Sequence, residues 1–230
     1  MDDIRDIFFD LDHTIWDFDA NSKLALQELF FEFDLTKRGV DFDAFMKEYY
    51  EVNDIYWARY RNNEIQRQEL RIGRFIDAFA NLDVRIDFDF ADQFAGRYLE
   101  LSPYKTNLFP NAIEVLTYLQ SKFNLHIITN GFEEVQFIKL KHSNLKQFFK
   151  TVVCAEEVGE KKPHPSVFQY ALDKSGANPK QAVMVGDSLQ ADVQGALDVG
   201  MHAIYFNPEM VDITADYKQI QDLAELKHWF

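Results

Sequence analysis

The chain has 230 residues, 47% of them hydrophobic and 27% charged, with a net charge of −14. That balance fits a globular protein with a substantial core and argues against a nucleic-acid polymer as partner, since polymer-binding surfaces carry clustered Lys and Arg. The single cysteine, Cys154, excludes an intramolecular disulfide and a cysteine-based zinc cluster, and its apolar neighbours mark it as core. The first residues, Met1 to Arg5, lack the basic region and long apolar stretch of a secretory signal. No apolar run approaches the ~20 residues of a membrane helix. A soluble, cytoplasmic protein with no membrane partner is expected.

Ile7-Phe8-Phe9 reads as a buried strand, and Asp10 and Asp12 come directly after it. At the carboxyl end of a parallel strand, two carboxylates can divide labour as nucleophile or metal ligand and as acid. An acidic turn after a strand is the alternative reading of the same residues. From Asn21 to about Leu101 the pattern is helical. Phe42, Phe45, Tyr49, Val52 and Tyr56 recur at three- and four-residue intervals, and Leu26, Phe30 and Phe33, then Phe90, Phe94 and Leu101, suggest further helices. Asp41 and Asp89 are expected helix starts. Ser102-Pro103 and Phe109-Pro110 mark the return from this insertion, because a residue before proline disfavours helix.

Apolar runs then recur at Leu125–Thr129, Thr151–Ala155, Ala182–Val185 and Ala203–Phe206, with helical segments between them. The alternation predicts a doubly wound parallel sheet with helices on both faces, an α/β core of residues 1–16 and 104–230 interrupted by a helical insertion at 17–103. Asp216 to Phe230 is read as a terminal helix covering the sheet. Three further polar groups end up at the same sheet edge as Asp10 and Asp12. Thr129-Asn130-Gly131 can offer a hydroxyl and backbone N–H groups to an anion. Lys162 lies in a loop stiffened by Pro163 and Pro165. Asp187 and Asp192 come after the run Ala182–Val185, and paired carboxylates at a sheet edge suit Mg²⁺. Lysine, hydroxyl, cation and a free carboxylate together match a phosphate group, whose esters are inert enough to favour a covalent route with charge neutralisation.

Asp10-x-Asp12-x-Thr14, Thr129-Asn130-Gly131, Lys162-Pro163 and Gly186-Asp187-Ser188 with Asp192 resemble the four motifs of the haloacid dehalogenase-like hydrolases, in that family's order and spacing. The insertion after the first motif resembles the family's helical cap, and the core its Rossmann-like sheet. The resemblance implies Asp10 as nucleophile, forming an aspartyl-phosphate, and Asp12 as general acid and then base. It implies Thr129, Asn130, Gly131 and Lys162 as phosphate-binding residues. Asp10, the backbone carbonyl of Asp12 and Asp187 would ligate Mg²⁺, with Thr14 and Asp192 supporting them. Asp12 sets the chain with the phosphatases, because the dehalogenases lack an aspartate there. Residues around the motifs, such as Phe8 to Phe18 and Ala155 to Gly159, resemble capped nucleoside 5′-monophosphatases acting on pyrimidine nucleotides, including non-canonical ones. The expected partner is therefore a small phosphorylated metabolite, a nucleotide first. A sugar phosphate or phosphoglycolate is the alternative substrate. A 2-haloacid dehalogenase, a receiver-type phosphoacceptor and a retired binding protein are more distant alternatives.

Five arginines, Arg59, Arg61, Arg67, Arg71 and Arg74, crowd one stretch of the insertion. They read either as a solvated face paired with Glu64 and Glu69 or, for residues such as Arg67 and Arg71, as substrate contacts. Phe18, Trp16 and Trp57 are the aromatic candidates for stacking a base. The insertion is expected to open and close, excluding water during reaction.

Overall fold

In the computed structural model, residues 3–212 and 217–230 are described. The chain divides into two compact units, one joining the residues up to Phe18 with Thr106–Phe230 and the other formed by Asp19–Lys105. The crossings fall a little beyond the boundaries read from the sequence.

The first unit is built on a six-stranded sheet. Its strands are β1 (Asp6–Phe9), β2 (Asn124–Thr129), β3 (Thr151–Cys154), β4 (Ala182–Gly186), β5 (His202–Phe206) and β6 (Gln219–Ile220). They run parallel in the order β3-β2-β1-β4-β5-β6. All four residues of β1 and all five of β4 are buried, as expected for central strands covered on both faces. The chain leaves β1 toward β2 and β3 on one side and toward β4, β5 and β6 on the other. The order therefore reverses between β1 and β4, and open sheets of this kind bind ligands in the crevice outside the strand ends there.

The second unit is helical: α1 (Phe18–Glu32), α2 (Phe42–Arg61), α3 (Arg67–Ala80) and α4 (Phe88–Leu101). Its core is aromatic. Phe94 of α4 meets Phe75 and Phe79 of α3 edge to face, with ring centroids 5.1 and 5.6 Å apart, a geometry worth ~0.5–1.5 kcal/mol per pair beyond burial. Asp41 caps α2 as expected, accepting from the Ala44 N–H at 2.8 Å. The start of α4 differs from the sequence expectation: Asp87, not Asp89, is the cap, its carboxylate accepting from the Phe90 N–H at 2.8 Å. Asp89 lies in the first helical turn.

Helices α5 (Ala112–Gln120), α6 (Glu133–His142), α7 (Pro165–Ser175) and α8 (Gly195–Asp198) pack on the sheet. Ile7 and Phe9 share one core with Val115, Leu116 and Leu119 of α5 and Leu140 of α6. Phe8 points the other way, into a second core with Val167, Phe168 and Leu172 of α7 and Ala196 of α8. Cys154 is buried at the end of β3. The carboxyl-terminal segment departs from the expected helix. Its start, Asp216, lies outside the described residues. The chain then forms strand β6 and ends in two short helical turns, Leu223–Glu225 and Leu226–Trp229. Among the described residues no helix is long and apolar enough to cross a membrane.

Candidate active site

The register of the sheet decides where the chemistry-bearing residues emerge. Phe9 pairs with Ile127 of β2 and Val185 of β4. The Asp10 N–H carries the ladder one step further, donating to the Val185 carbonyl at 2.9 Å. Asp10 therefore leaves β1 beside the ends of both neighbours, next to Thr129 at the tip of β2 and Asp187 just past β4.

Lys162 joins these ends. Its ammonium, 2% exposed, donates to Oδ1 of Asp10 at 2.6 Å, Oδ1 of Asp192 at 2.7 Å and the Ile128 carbonyl at 2.7 Å. Three acceptors satisfy all three of its donors. The Asn130 side chain fixes the loop that carries it: Oδ1 accepts from the Lys162 N–H at 2.8 Å and Nδ2 donates to the Lys162 carbonyl at 3.1 Å. The Asn130 side chain thus holds Lys162 through both ends of its amide. Asp192 sits in the π-helical turn Leu189–Gln194, a feature frequent at functional sites. Its second oxygen accepts from the Ser188 N–H at 3.0 Å. Asp187 accepts from the hydroxyl of the fully buried Thr14 at 2.9 Å.

Charge is crowded here. One carboxylate oxygen from each of Asp10, Asp187 and Asp192 lies within 4.8 Å of the others. Burial, opposed by Lys162 and reinforced by Asp192 and Asp187, holds the Asp10 carboxyl well above its usual range. Burial also pushes Asp187 up to about 6, with His13 opposing and Asp192 adding. Burial works against the Lys162 ammonium, but Asp10 and Asp192 overcome it and raise its pKa. Three carboxylates face one ammonium. Asp10 and Asp187 each keep one oxygen with no hydrogen bond among the described residues. That donor set, all oxygen and short of positive charge, fits a hard divalent cation such as Mg²⁺. Both oxygens of Asp192 are already taken, which suits a supporting place rather than a direct one.

Asp12 faces the other way within the same site. Oδ1 accepts from the Lys139 ammonium at 2.5 Å and Oδ2 from the Gln136 amide at 2.8 Å. The same Gln136 Nε2 donates to Oγ1 of Thr129 at 2.8 Å, and the Gly131 N–H reaches that oxygen at 3.1 Å. With its oxygen accepting twice, Thr129 is left to donate its own hydrogen, the polarity a phosphoryl oxygen requires. Gly131 is needed at this point: a Cβ there would stand 1.7 Å from Nε2 of Gln136. Gln136 and Lys139 escape the sequence reading because Gln and Lys on an amphipathic helix look solvated. Their spacing of three on α6, one turn past Thr129-Asn130-Gly131, is the signal that could have pointed to them.

The remaining candidates separate by unit. Phe18 lies with the site residues, its ring 4.7 Å from that of His13 and 5.8 Å from the Lys139 ammonium. Trp16 is fully buried, with the same ammonium 4.1 Å from its ring. Trp57, Arg67 and Arg71 belong to the helical unit. Trp57 packs edge to face on Tyr60, and Arg71 pairs with Asp92. Arg59 pairs with Glu69 at 3.0 Å, one of the acidic partners expected from the sequence. Arg74 is buried, bonded to Oδ1 of Asn53 at 2.7 Å beneath Phe75 and Tyr98.

A family model described as haloacid dehalogenase-like hydrolase matches residues 7–206. The chain is 31% identical over 228 residues to the pyrimidine 5′-nucleotidase YjjG of Escherichia coli, covering 96% of each protein. It is 30% identical to the pyrimidine 5′-nucleotidase PynA of Streptococcus pneumoniae, covering 90% of this chain and 85% of that one. Its fold matches the magnesium-bound crystal structure of the HAD-hydrolase YfnB of Bacillus subtilis with a TM-score of 0.87 and 28% identity, over 98% of both chains.

Proposed function

The chain belongs to the haloacid dehalogenase-like hydrolases, and we propose that it is a magnesium-dependent phosphomonoesterase acting on nucleoside 5′-monophosphates, pyrimidine nucleotides first. The observation that carries this reading is the contact network at the reversal of the sheet. Asp10 has one oxygen held by Lys162 and one left over, while Asp12 stands apart with its own donors. Two carboxylates so differently held suit two different tasks. The likeness to YjjG and PynA, both named pyrimidine 5′-nucleotidases and both matched over most of their length, supports the substrate class.

In the proposed reaction the unbonded oxygen of Asp10 forms a bond to phosphorus as the bond to the leaving oxygen breaks. The leaving oxygen keeps the electron pair and takes a proton from Asp12. Water then forms a bond to the same phosphorus, the Asp10–phosphorus linkage breaks, and Asp12 takes the proton from that water. Lys162 keeps Asp10 in place and sets its positive charge beside the phosphoryl group, while the Thr129 hydroxyl donates to a phosphoryl oxygen. Asp10, the Asp12 carbonyl and Asp187 would hold Mg²⁺, with Thr14 orienting Asp187 and Asp192 steadying Lys162. Bound there, the ion would offset the charge of phosphate against carboxylate. The presence of Asp12 sets this chain apart from dehalogenation, which has no leaving oxygen to protonate. The helical unit is the proposed cap, with Trp57 and Arg67 as candidate contributors to substrate choice.

The test is a panel of phosphorylated metabolites ranked by kcat/KM, covering pyrimidine and purine nucleotides, sugar phosphates and phosphoglycolate. Pyrimidine nucleotides are expected at the top, with activity lost on chelation and in Asp10→Asn. If sugar phosphates outrank nucleotides, the substrate assignment falls and the phosphatase assignment stands. If no phosphoester is hydrolysed, both fall.

A further inference from the structure

Resting on the proposed phosphatase activity, we propose that Lys139 and Gln136 are positioning residues that aim the Asp12 carboxylate, and that they act chiefly in the hydrolysis of phosphorylated Asp10. Each takes one Asp12 oxygen, at 2.5 Å from Lys139 and 2.8 Å from Gln136. A carboxylate held at both oxygens by donors from one rigid element cannot swing about its side-chain torsions. The element is well anchored, because the next residue on α6, Leu140, is fully buried in the core beneath the sheet.

The surroundings of both residues indicate a placed group rather than a solvated helix face. Lys139 is 4% exposed, with its ammonium 4.1 Å from the Trp16 ring centroid. Burying an ammonium is costly unless a partner offsets it, and Asp12 is the carboxylate that does so. Gln136 is fully buried, and its Oε1 has no donor partner among the described residues. An orphaned buried acceptor is uncommon. It results from the two bonds that Nε2 makes, since turning the amide over would set Oε1 against the Asp12 carboxylate. Gln136 also ties Asp12 to Thr129, fixing the proton-transfer group relative to the hydroxyl assigned to the phosphoryl oxygens.

The two halves of the reaction depend on Asp12 unequally. When the leaving group is a stable anion such as 4-nitrophenolate, the first step can proceed without a proton from Asp12. The second step has no such escape. Water adds to phosphorus, the Asp10 oxygen leaves with the bonding pair, and Asp12 must receive the proton of that water. A misplaced Asp12 therefore slows the second step for every substrate and the first only for poor leaving groups.

The experiment uses the full chain with Mg²⁺ and compares wild type, Lys139→Met and Gln136→Leu. Stopped-flow and rapid-quench assays with 4-nitrophenyl phosphate would be run beside a nucleoside 5′-monophosphate. A misaimed proton-transfer group can cost up to ~10²-fold. For Lys139→Met, kcat on 4-nitrophenyl phosphate is expected to fall ~10- to 100-fold and KM to fall with it, leaving kcat/KM little changed, because only the step after nitrophenolate release is slowed. It should show a burst of one nitrophenolate per enzyme and a trapped phosphoenzyme by mass spectrometry, both absent from wild type. Lys139→Gln, which keeps a neutral donor, should shrink the burst, and it provides a folded test should the Met variant fail to fold. A uniform fall on both substrates with no trapped phosphoenzyme in any folded variant would reduce these residues to structural support and overturn the proposal. Unchanged kinetics would overturn it equally. A wild type that hydrolyses no phosphoester would sink the phosphatase reading and this one with it.

Discussion

Gly186 carries no Cβ, and its neighbour accounts for that: an added Cβ would stand 2.3 Å from Oδ2 of Asp192. Both oxygens of Asp192 are held, one by Lys162 at 2.7 Å and one by the Ser188 N–H at 3.0 Å, so the carboxylate has no slack to absorb a push. Gly186→Ala should therefore displace Asp192 and loosen Lys162, although the methyl group itself is small. Overpacking of this kind costs ~1–3 kcal/mol, and the same shift should lower kcat by roughly 10-fold or more through Lys162. Urea unfolding and turnover of 4-nitrophenyl phosphate check the two effects. A variant with wild-type stability and rate would mean that Asp192 is less tightly held than its contacts imply. Lys139 presents the opposite case at the same scale. Glycine after a β-rich run is visible in a sequence as a place where something approaches closely. A buried lysine is not visible, because only the tertiary contact with Asp12 distinguishes it from the exposed lysines of the same chain.

Helix ends offer a second level of test. Asp87 and Asp89 sit two residues apart before the apolar face of α4, and the sequence favoured Asp89 as the cap. The structure places Asp87 there, with extended backbone and its carboxylate on the Phe90 N–H. Asp87→Ala is expected to cost ~0.5–2 kcal/mol, whereas Asp89→Ala should lose only the ~0.3–1 kcal/mol of a first-turn acid against the helix dipole. Equal costs by denaturant unfolding would refute the assignment. The same pair shows what a sequence resolves and what it does not. Long periodic segments such as α2, and buried β-rich runs such as β1 and β4, are legible because burial imposes their pattern over many residues. A cap is a choice among adjacent carboxylates made by backbone geometry, and strand β6 is two residues long, too short to impose any period. The four motif segments of the site were legible because the parallel order delivers every strand end to one edge. The α6 residues that hold Asp12 were not, since no strand end points to them.

The stability of the whole chain against pH sets two effects of opposite sign against each other. The net charge of −14 means that mild acidification relieves self-repulsion, which favours the compact state. His126 works in the other direction. It lies in β2, stacked on Phe8 with ring centroids 4.6 Å apart, 3.2 Å from Oδ1 of Asp6, and its Nδ1 is buried without a partner among the described residues. Burial lowers its pKa below 6.5; the Asp6 carboxylate opposes this and Lys150 adds to it. Well above pH 6.5 the imidazole is neutral both folded and unfolded, and its contribution is constant. As pH falls through that value the unfolded chain takes up the proton first. Stability is therefore lost progressively until the folded-state pKa is passed, and no further below it. His126→Phe keeps a ring on Phe8, leaves Asp6 its bond from Asn124 at 2.8 Å, and removes the titration. Between about pH 7.5 and about pH 5 the wild-type unfolding midpoint in urea should fall relative to that of the variant, since histidine changes charge in this window. The general relief of self-repulsion is common to both proteins and cancels in the difference. Midpoints that run parallel across the window would show that His126 is protonated as readily inside the sheet as outside it, and that the sheet tolerates a charge at the base of β2.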